Sequence, residues 1–166
     1  AAMFMEAYGT PQIQALTRAS RAFYEAPPQG FCEHPLLEPR GCLYVASLEQ
    51  RTLLEQTHAQ NLANGTEVSL LDRDAALALV PSLRGENLAG AVLEAGAMDL
   101  DVHALHQGFL RGYRAAGGEL RCNAELVQAW YLDDLWQVQL GDGSRVQARQ
   151  LVHAAGAWAD RVAEQC

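Results

Sequence analysis

The residues with the most definite chemical meaning lie near the carboxyl end of this 166-residue sequence. Leu151 and Val152 predict a short strand, and the small residues Ala154, Ala155 and Gly156 follow it, before a predicted helix. Small residues at the end of a strand let a ligand approach the backbone closely, and the free N–H groups of a following helix favour an anion. The pattern therefore indicates either one wall of a nucleotide-binding crevice or a tight, closely packed turn.

Metal chemistry is the second possibility that the residue types suggest. His103 and His106 lie three residues apart on one predicted helix, and Asp101 is the only carboxylate close to them in sequence. A catalytic metal needs a further ligand beyond two imidazoles, so we interpret this pair as solvent-facing or core-edge residues. His58 lies among apolar residues of another predicted helix and is interpreted as a packing residue. We therefore predict no metal site.

Motifs for nucleophilic catalysis and for phosphate binding are absent from the sequence. It contains no GxSxG, no Walker A pattern and no GxGxxG. Gly141 and Gly143 form a GxG, but Asp142-Gly143 is a favoured hairpin pair and the next predicted element is a strand. The motifs therefore identify no catalytic residue.

Composition excludes several classes of protein. With 49% apolar and 19% charged residues the chain is not intrinsically disordered, and no apolar run approaches the roughly 20 residues of a membrane-spanning helix. The net charge is −8, and all twelve basic residues are arginines scattered along the chain, which argues against a nucleic-acid groove. The four cysteines form no CxxC, so we expect reduced thiols and a cytoplasmic protein.

Local signals predict helices and strands in irregular order. Helices are expected from Pro11 to about Glu25, from the Ser47 capping box to about Ala63, after Asp72 and after Asp101. Strands are expected near residues 41–46, 67–71, 88–93, 119–122, 126–132, 136–140, 146–148 and 150–153. This order predicts an α+β fold with a mainly antiparallel sheet and flanking helices. Residues 101–116, 119–122 and 150–158 look like incomplete α/β pieces.

The two ends of the sequence suggest a fragment. The sequence begins with Ala1 rather than Met, and it ends at Cys166 within a segment that is predicted to be helical, with Trp158 and Val162 at four-residue spacing. We therefore expect these residues to be an internal part of a longer protein.

Several segments, taken in order, resemble one enzyme family. Residues 150–159 resemble the VVNAAGAWA segment of the D-amino-acid oxidase superfamily of FAD-dependent oxidoreductases, which includes glycine and sarcosine oxidases. Residues 41–46 are similar to its GsLyva strand, and residues 99–117 to its segment with a Val-Asp-Pro followed by a helix and a glycine. The resemblance covers essentially the whole chain and implies FAD as the cofactor of the parent protein.

The resemblance also implies a division of the chain. Residues 1–100 would belong to the substrate domain of the D-amino-acid oxidase fold, and residues 101–166 to part of the FAD-binding domain. The family's GxGxxG would precede residue 1, so we expect the isolated fragment to be inactive and not to retain FAD. The incomplete α/β pieces would leave apolar surface, through which the chain could associate with itself.

Few residue roles transfer from the family. In the family, the strand after this glycine carries an apolar residue whose backbone contacts the adenine, which the resemblance places at Leu126 by register or at Val127 if the register is shifted by one. Four further positions match residues near the cofactor: Ala154, Ala155, Gly156 and Trp158. Arg40 and Tyr44, on or beside a substrate-domain strand, are weaker candidates for contact with a substrate and also fit an ordinary sheet role.

The parent protein implied by this resemblance oxidises a small molecule. The substrate would be an amino acid, such as a D-amino acid or glycine, or a 2-hydroxy acid, with hydride transfer to FAD. The expected setting is the bacterial cytoplasm. The alternative is a non-catalytic α+β binding or interaction module.

Overall fold

The computed structural model describes residues 2–166 and divides into two compact units, the first ending at Gly117 and the second running from Gly118 to Cys166. Within these described residues there are five α-helices and nine strands, and every strand pair is antiparallel. The predicted α+β class with mainly antiparallel pairing is confirmed. No helix in the described residues is long and apolar enough to cross a membrane.

Three of the helices begin at a side-chain cap. The Asp72 and Asp101 carboxylates each accept a hydrogen bond at 2.8 Å from the backbone N–H three residues later, and Thr10 caps in the same way. These bonds satisfy N–H groups that a helix leaves unpaired at its start. The helices are α1 (Pro11–Glu25), α2 (Arg51–Ala63), α3 (Arg73–Leu79), α4 (Val102–Ala115) and α5 (Ala159–Ala163).

The first unit contains two three-stranded sheets. Its strands are β1 (Ala2–Phe4), β2 (Leu37–Pro39), β3 (Cys42–Ser47), β4 (Ser69–Asp72), β5 (Leu88–Glu94) and β6 (Met98–Leu100). One sheet has the order β1-β6-β2 and the other β3-β5-β4. The strands β1, β2 and β6 have only three residues each, too few for an alternating pattern, and the sequence did not predict them.

The core of the first unit surrounds β5. Ala91 and Val92 on this strand have no exposed surface; Ala76 of α3 packs with Ala91, and Leu54 of α2 packs with Val92. Gly90 has a φ of +153°, and a Cβ added there would lie 2.4 Å from the Leu71 carbonyl oxygen on β4. Only glycine permits this close approach of the two strands.

The second unit is a meander with a short helix. Its strands β7 (Leu126–Leu132), β8 (Leu135–Leu140) and β9 (Arg145–Ala148) pair in chain order. Asp133 and Asp134 both have positive φ in the tight turn between β7 and β8, as two-residue hairpins require. The Ala129 N–H of β7 donates to the Gln165 carbonyl at 2.6 Å, so the segment after α5 is fixed to this sheet.

Two predicted strands are wrong. Residues 119–122 and 150–153 are not strands, because neither segment has a neighbouring strand with which to form a ladder within the described part of the chain. The burial of side chains on α1 does not follow their hydrophobicity. Ile13 and Leu16 are exposed, whereas Gln14 is 3% exposed because its carboxamide finds hydrogen-bond partners inside the unit.

Candidate functional site

The Ala154-Ala155-Gly156 turn follows a segment without regular secondary structure, whose backbone groups are unpaired. The backbone N–H and C=O groups of residues 151–154 make no hydrogen bond to any other residue that the structure describes. Val152 in this segment is 84% exposed. Backbone polar groups are nearly always paired when buried, so this segment is open to a partner or to solvent.

The turn itself is accessible. Gly156 has a φ of +55°, and a Cβ added to it would meet nothing within 4 Å. A 3₁₀ turn at Gly156–Trp158 follows, in which the Trp158 N–H donates to the Ala155 carbonyl at 3.1 Å. Ala154 is exposed and Ala155 is half-buried. A ligand can therefore reach the backbone on this side, as the small residues predict.

The aromatic residue after the turn meets the predicted adenine strand. Leu126 of β7 and Trp158 line one groove of about 220 Å³ in the second unit, together with Val162 of α5. Arg161 and Glu125 form an ion pair at 3.5 Å in the same groove. The structure thus brings together two predicted site residues that are 32 positions apart.

The remaining predicted cofactor residues do not line this groove. Val127, the alternative register, is 48% exposed and is not part of the lining, so Leu126 is the residue that lies near Trp158. Ala154, Ala155 and Gly156 also lie outside the lining. The groove and the open turn are therefore two separate features of the second unit, and they adjoin in the sequence because the turn lies just before Trp158.

These features fit part of an FAD molecule. FAD has a flat adenine, which needs apolar contact and backbone hydrogen bonds, and a diphosphate, which needs a cluster of N–H groups. Leu126 and Trp158 in the groove suit the apolar contact, and the open backbone of residues 151–154 offers unpaired N–H and C=O groups to the cofactor. The GxGxxG turn that suits the second is absent from the 166 residues. The described residues therefore fit one wall of an FAD site.

The two weaker candidates are already engaged. The Arg40 guanidinium donates to both carboxylate oxygens of Asp99, at 3.1 and 3.0 Å. The Tyr44 hydroxyl donates to Glu94 Oε2 at 3.1 Å. Burial raises the pKa of Tyr44 above its ordinary value, and the nearby Glu94 charge adds to the rise. A substrate carboxylate would have to displace an existing partner at either residue.

The histidines do not form part of a metal cluster. His103 and His106 are both exposed on α4, and His58 on α2 is half-buried. Among residues 2–166, no group of three or more His, Cys, Asp or Glu side chains is placed to hold a metal ion.

Sequence reasoning missed the buried polar residues of the first unit. Glu94 is 2% exposed, Gln14 3%, Asn61 4% and Thr66 2%. One signal was available for Glu94, since a lone acidic residue ends the apolar strand from Leu88 to Leu93. A buried carboxylate of this kind must be hydrogen-bonded, which points to an internal polar cluster.

Comparison with known families gives one match over the whole chain. A sequence model of the family DAO, described as FAD dependent oxidoreductase, matches residues 1–166.

Solved structures show the same fold. Glycine oxidase from Geobacillus kaustophilus superposes with a TM-score of 0.82 at 22% identity, over 99% of this chain and 46% of its own. L-α-glycerophosphate oxidase from Mycoplasma pneumoniae, with FAD bound, superposes with a TM-score of 0.79 at 16% identity, over 98% of this chain and 44% of its own. L-proline dehydrogenase from P. horikoshii superposes with a TM-score of 0.78 at 14% identity, over 97% of this chain and 43% of its own. The chain spans less than half the length of each of these proteins.

Proposed function

Because the chain belongs to the FAD-dependent oxidoreductase family, we propose that the whole protein oxidises an amino acid or a 2-hydroxy acid. The family match over residues 1–166 is the observation that carries this proposal. It also confirms the family assignment made from the sequence, with FAD as the family's cofactor. FAD, when bound, supplies the hydride acceptor. The substrate carbon gives up the hydride and its nitrogen or oxygen gives up a proton, which yields an imino or keto acid.

In this proposal the second unit supplies part of the cofactor site. Leu126 offers its backbone to the adenine, and Trp158 covers the edge of the same groove. The turn at Ala154, Ala155 and Gly156 lets the cofactor approach the backbone. Support comes from the open backbone of residues 151–154 and from the free space around Gly156.

The proposed division of the chain follows the family. Residues 1–100 form a substrate-domain segment, and residues 101–166 form part of the FAD-binding domain. Contacts within the structure place α4 in the first unit, where Gly108 lies against the Phe31 ring. The family division therefore assigns α4 to the FAD-binding part, whereas the division into compact units assigns it to the first unit.

We favour an amino acid over a hydroxy acid as the substrate. Support comes from the similar solved structures, among which are two glycine oxidases, an iminodiacetate oxidase and the amino acid oxidase NikD. The candidate Arg40 is already paired with Asp99, so we assign no arginine to the substrate carboxylate and propose no catalytic residue. The proposed location is the cytoplasm.

The proposal is tested on the whole protein, purified with its flavin. We expect the absorption bands of oxidised flavin, and bleaching of these bands when one member of a panel of D-amino acids, glycine and 2-hydroxy acids is added without oxygen. Bleaching by 2-hydroxy acids alone would show that the substrate is a hydroxy acid rather than an amino acid. A colourless protein that gains no flavin absorption on incubation with FAD would favour the non-catalytic binding module instead.

We further propose that a polypeptide of residues 1–166 alone is inactive and does not hold FAD. The absence of a GxGxxG within these residues supports this, because the diphosphate then lacks its N–H cluster. Exposed Val152 and Trp158 support self-association of this polypeptide. Light scattering at increasing concentration, together with an absorption spectrum after incubation with FAD, measures both properties.

A further inference from the structure

Four carboxamide side chains in the first unit form a hydrogen-bonded chain with one direction. Gln60 Nε2 donates to Asn64 Oδ1 at 3.0 Å, and Asn64 Nδ2 donates to Gln14 Oε1 at 2.9 Å. Gln14 Nε2 then donates to Asn61 Oδ1 at 3.0 Å. This chain, which we call the amide chain, joins α1 to α2.

Backbone carbonyls fix the direction of the amide chain. Gln14 Nε2 also donates to the carbonyl oxygens of Ala7 and Gly9, at 3.1 and 3.3 Å. A carbonyl can only accept, so the Gln14 atom that faces them must be nitrogen. The Asn61 atom that faces this nitrogen must then be oxygen. Asn61 Nδ2 is consequently turned away from the amide chain.

The Asn61 amide nitrogen has no partner of its own. Asn61 is 4% exposed, and its Nδ2 donates to no other residue in the part of the chain that the structure describes. In that part of the chain, Ser144 Oγ is the one side-chain nitrogen or oxygen atom that is fully enclosed and lacks a hydrogen-bond partner. Asn61 Nδ2 is therefore not fully enclosed, and Asn61 is one of the residues that line a neighbouring cavity.

This cavity is a broad groove that is open to solvent, and its lining carries no charged side chain. Its volume is about 910 Å³, and it lies between α2 and the residues that lead into α1. Amide and hydroxyl groups from Gln56, Thr57, Gln60 and Asn64 share its walls with small apolar residues, and no acidic, basic or histidine side chain is among them. A charged ligand would find no opposite charge in this lining, whereas a neutral polar ligand can exchange hydrogen bonds with its amide and hydroxyl groups.

We propose that this cavity binds a neutral small molecule through Asn61 Nδ2. The ligand carries an oxygen that accepts from this nitrogen and an N–H or O–H that donates to Gln60 Oε1, the free acceptor at the other end of the amide chain. A primary carboxamide and a polyol both have this chemistry. The site is formed by residues of the first unit and is separate from the proposed cofactor residues, so it stands or falls independently of the oxidoreductase assignment.

The direct test follows the side-chain amide of Asn61 by nuclear magnetic resonance in the whole protein labelled with ¹⁵N-asparagine. Acetamide and glycerol serve as the two neutral probes, and acetate is the charged control of the same shape as acetamide. We expect a saturable shift of the Asn61 side-chain signal with acetamide, with glycerol or with both, and no saturable shift with acetate. The probe that saturates distinguishes a carboxamide from a polyol as the ligand.

A variant isolates the single donor. Asn61→Asp keeps the oxygen that accepts from Gln14 and removes both N–H groups of Nδ2. We expect at least about five-fold weaker probe binding, detected through the Asn64 side-chain signal, as for the loss of one hydrogen bond. Asn87→Asp makes the same chemical change at an exposed position and should leave binding unchanged.

Two results would overturn the proposal. One is the absence of saturation with both neutral probes in the unmodified protein, which does not depend on whether the variant folds. The other is equal probe affinity in the unmodified protein and in a folded Asn61→Asp variant.

Discussion

The phenol of Tyr44 donates its hydrogen to the carboxylate of Glu94, with 3.1 Å between Oη and Oε2. The other carboxylate oxygen accepts from the backbone N–H groups of Glu6 and Ala7, at 2.5 and 3.2 Å. Glu94 is 2% exposed, so its charge is stabilised by these three donors rather than by water. One buried side chain on β5 thus connects β3 to the irregular segment between β1 and α1.

Removing the phenolic hydroxyl tests this connection. In Tyr44→Phe we expect the free energy of unfolding to fall by about 1.5–3 kcal/mol, because a buried carboxylate loses a hydrogen bond. Unfolding in urea, followed by circular dichroism, measures the change. Tyr8→Phe is the control, since Tyr8 is 63% exposed, and it should change stability by less than about 0.5 kcal/mol. Equal effects of the two substitutions would contradict the prediction.

The same phenol predicts a loss of stability at alkaline pH. Burial, together with the Glu94 charge, raises the pKa of Tyr44 in the folded protein above its ordinary value of 10.0. The unfolded chain releases this proton at about pH 10, so the stabilising contribution is complete below that pH and is lost as the pH rises above it.

Unfolding free energies measured between pH 8 and pH 11.5 test the sign of this effect. We expect the decline above pH 10 to be shallower in Tyr44→Phe than in the unmodified protein. A decline of the same slope in both proteins would show that Tyr44 does not carry it.

The close approach of β4 and β5 at Gly90 predicts a severe effect of one methyl group. In Gly90→Ala the added Cβ would meet the Leu71 carbonyl oxygen, a backbone atom that cannot rotate away. We expect a loss of more than about 2 kcal/mol in the free energy of unfolding. Gly30→Ala is the matched control, because Gly30 also has a positive φ but open space around it, and it should cost about 1 kcal/mol. Thermal unfolding of both variants separates the clash from the backbone strain.

Trp158 should affect the cofactor more than the fold. It is 66% exposed, so Trp158→Ala removes little buried surface and should change the free energy of unfolding by less than about 1 kcal/mol. In the whole protein we expect at least about ten-fold weaker FAD binding, through the loss of aromatic contact in the groove with Leu126. The ratio of flavin absorbance to protein absorbance after dialysis measures retention.

Leu132→Ala is the control for this substitution, since Leu132 is 53% exposed in the same unit and does not line the groove. Flavin retention that is equally reduced in both variants would remove Trp158 from the proposed site.

The elements that sequence reasoning predicted well are those with local signals. Thr10, Asp72 and Asp101 cap helices with atoms that lie within three residues of the cap, so the start of each helix can be read from neighbouring letters. The short strand β1 depends on distant residues instead. Ala2 pairs with Leu100, 98 positions away, and nothing in a three-residue segment encodes that partner.

The candidate cofactor site was predictable in part for the same reason. The turn at Ala154, Ala155 and Gly156 is contiguous, so its small residues and its accessibility follow from a short motif. The groove shared by Leu126 and Trp158 depends on how the segment around α5 lies against β7. That arrangement is set by contacts such as the bond from the Ala129 N–H to the Gln165 carbonyl, which no local pattern specifies.

The amino-acid sequence alone determined the helix starts, the α+β class and the family to which the chain belongs, because caps, periodicity and motifs involve residues that are close along the chain. Tertiary structure alone decided that Gln14 and Asn61 are buried while Leu16 is exposed. A polar side chain is stable in the interior only when partners from other elements satisfy its hydrogen bonds, and those partners become neighbours only when the chain has folded.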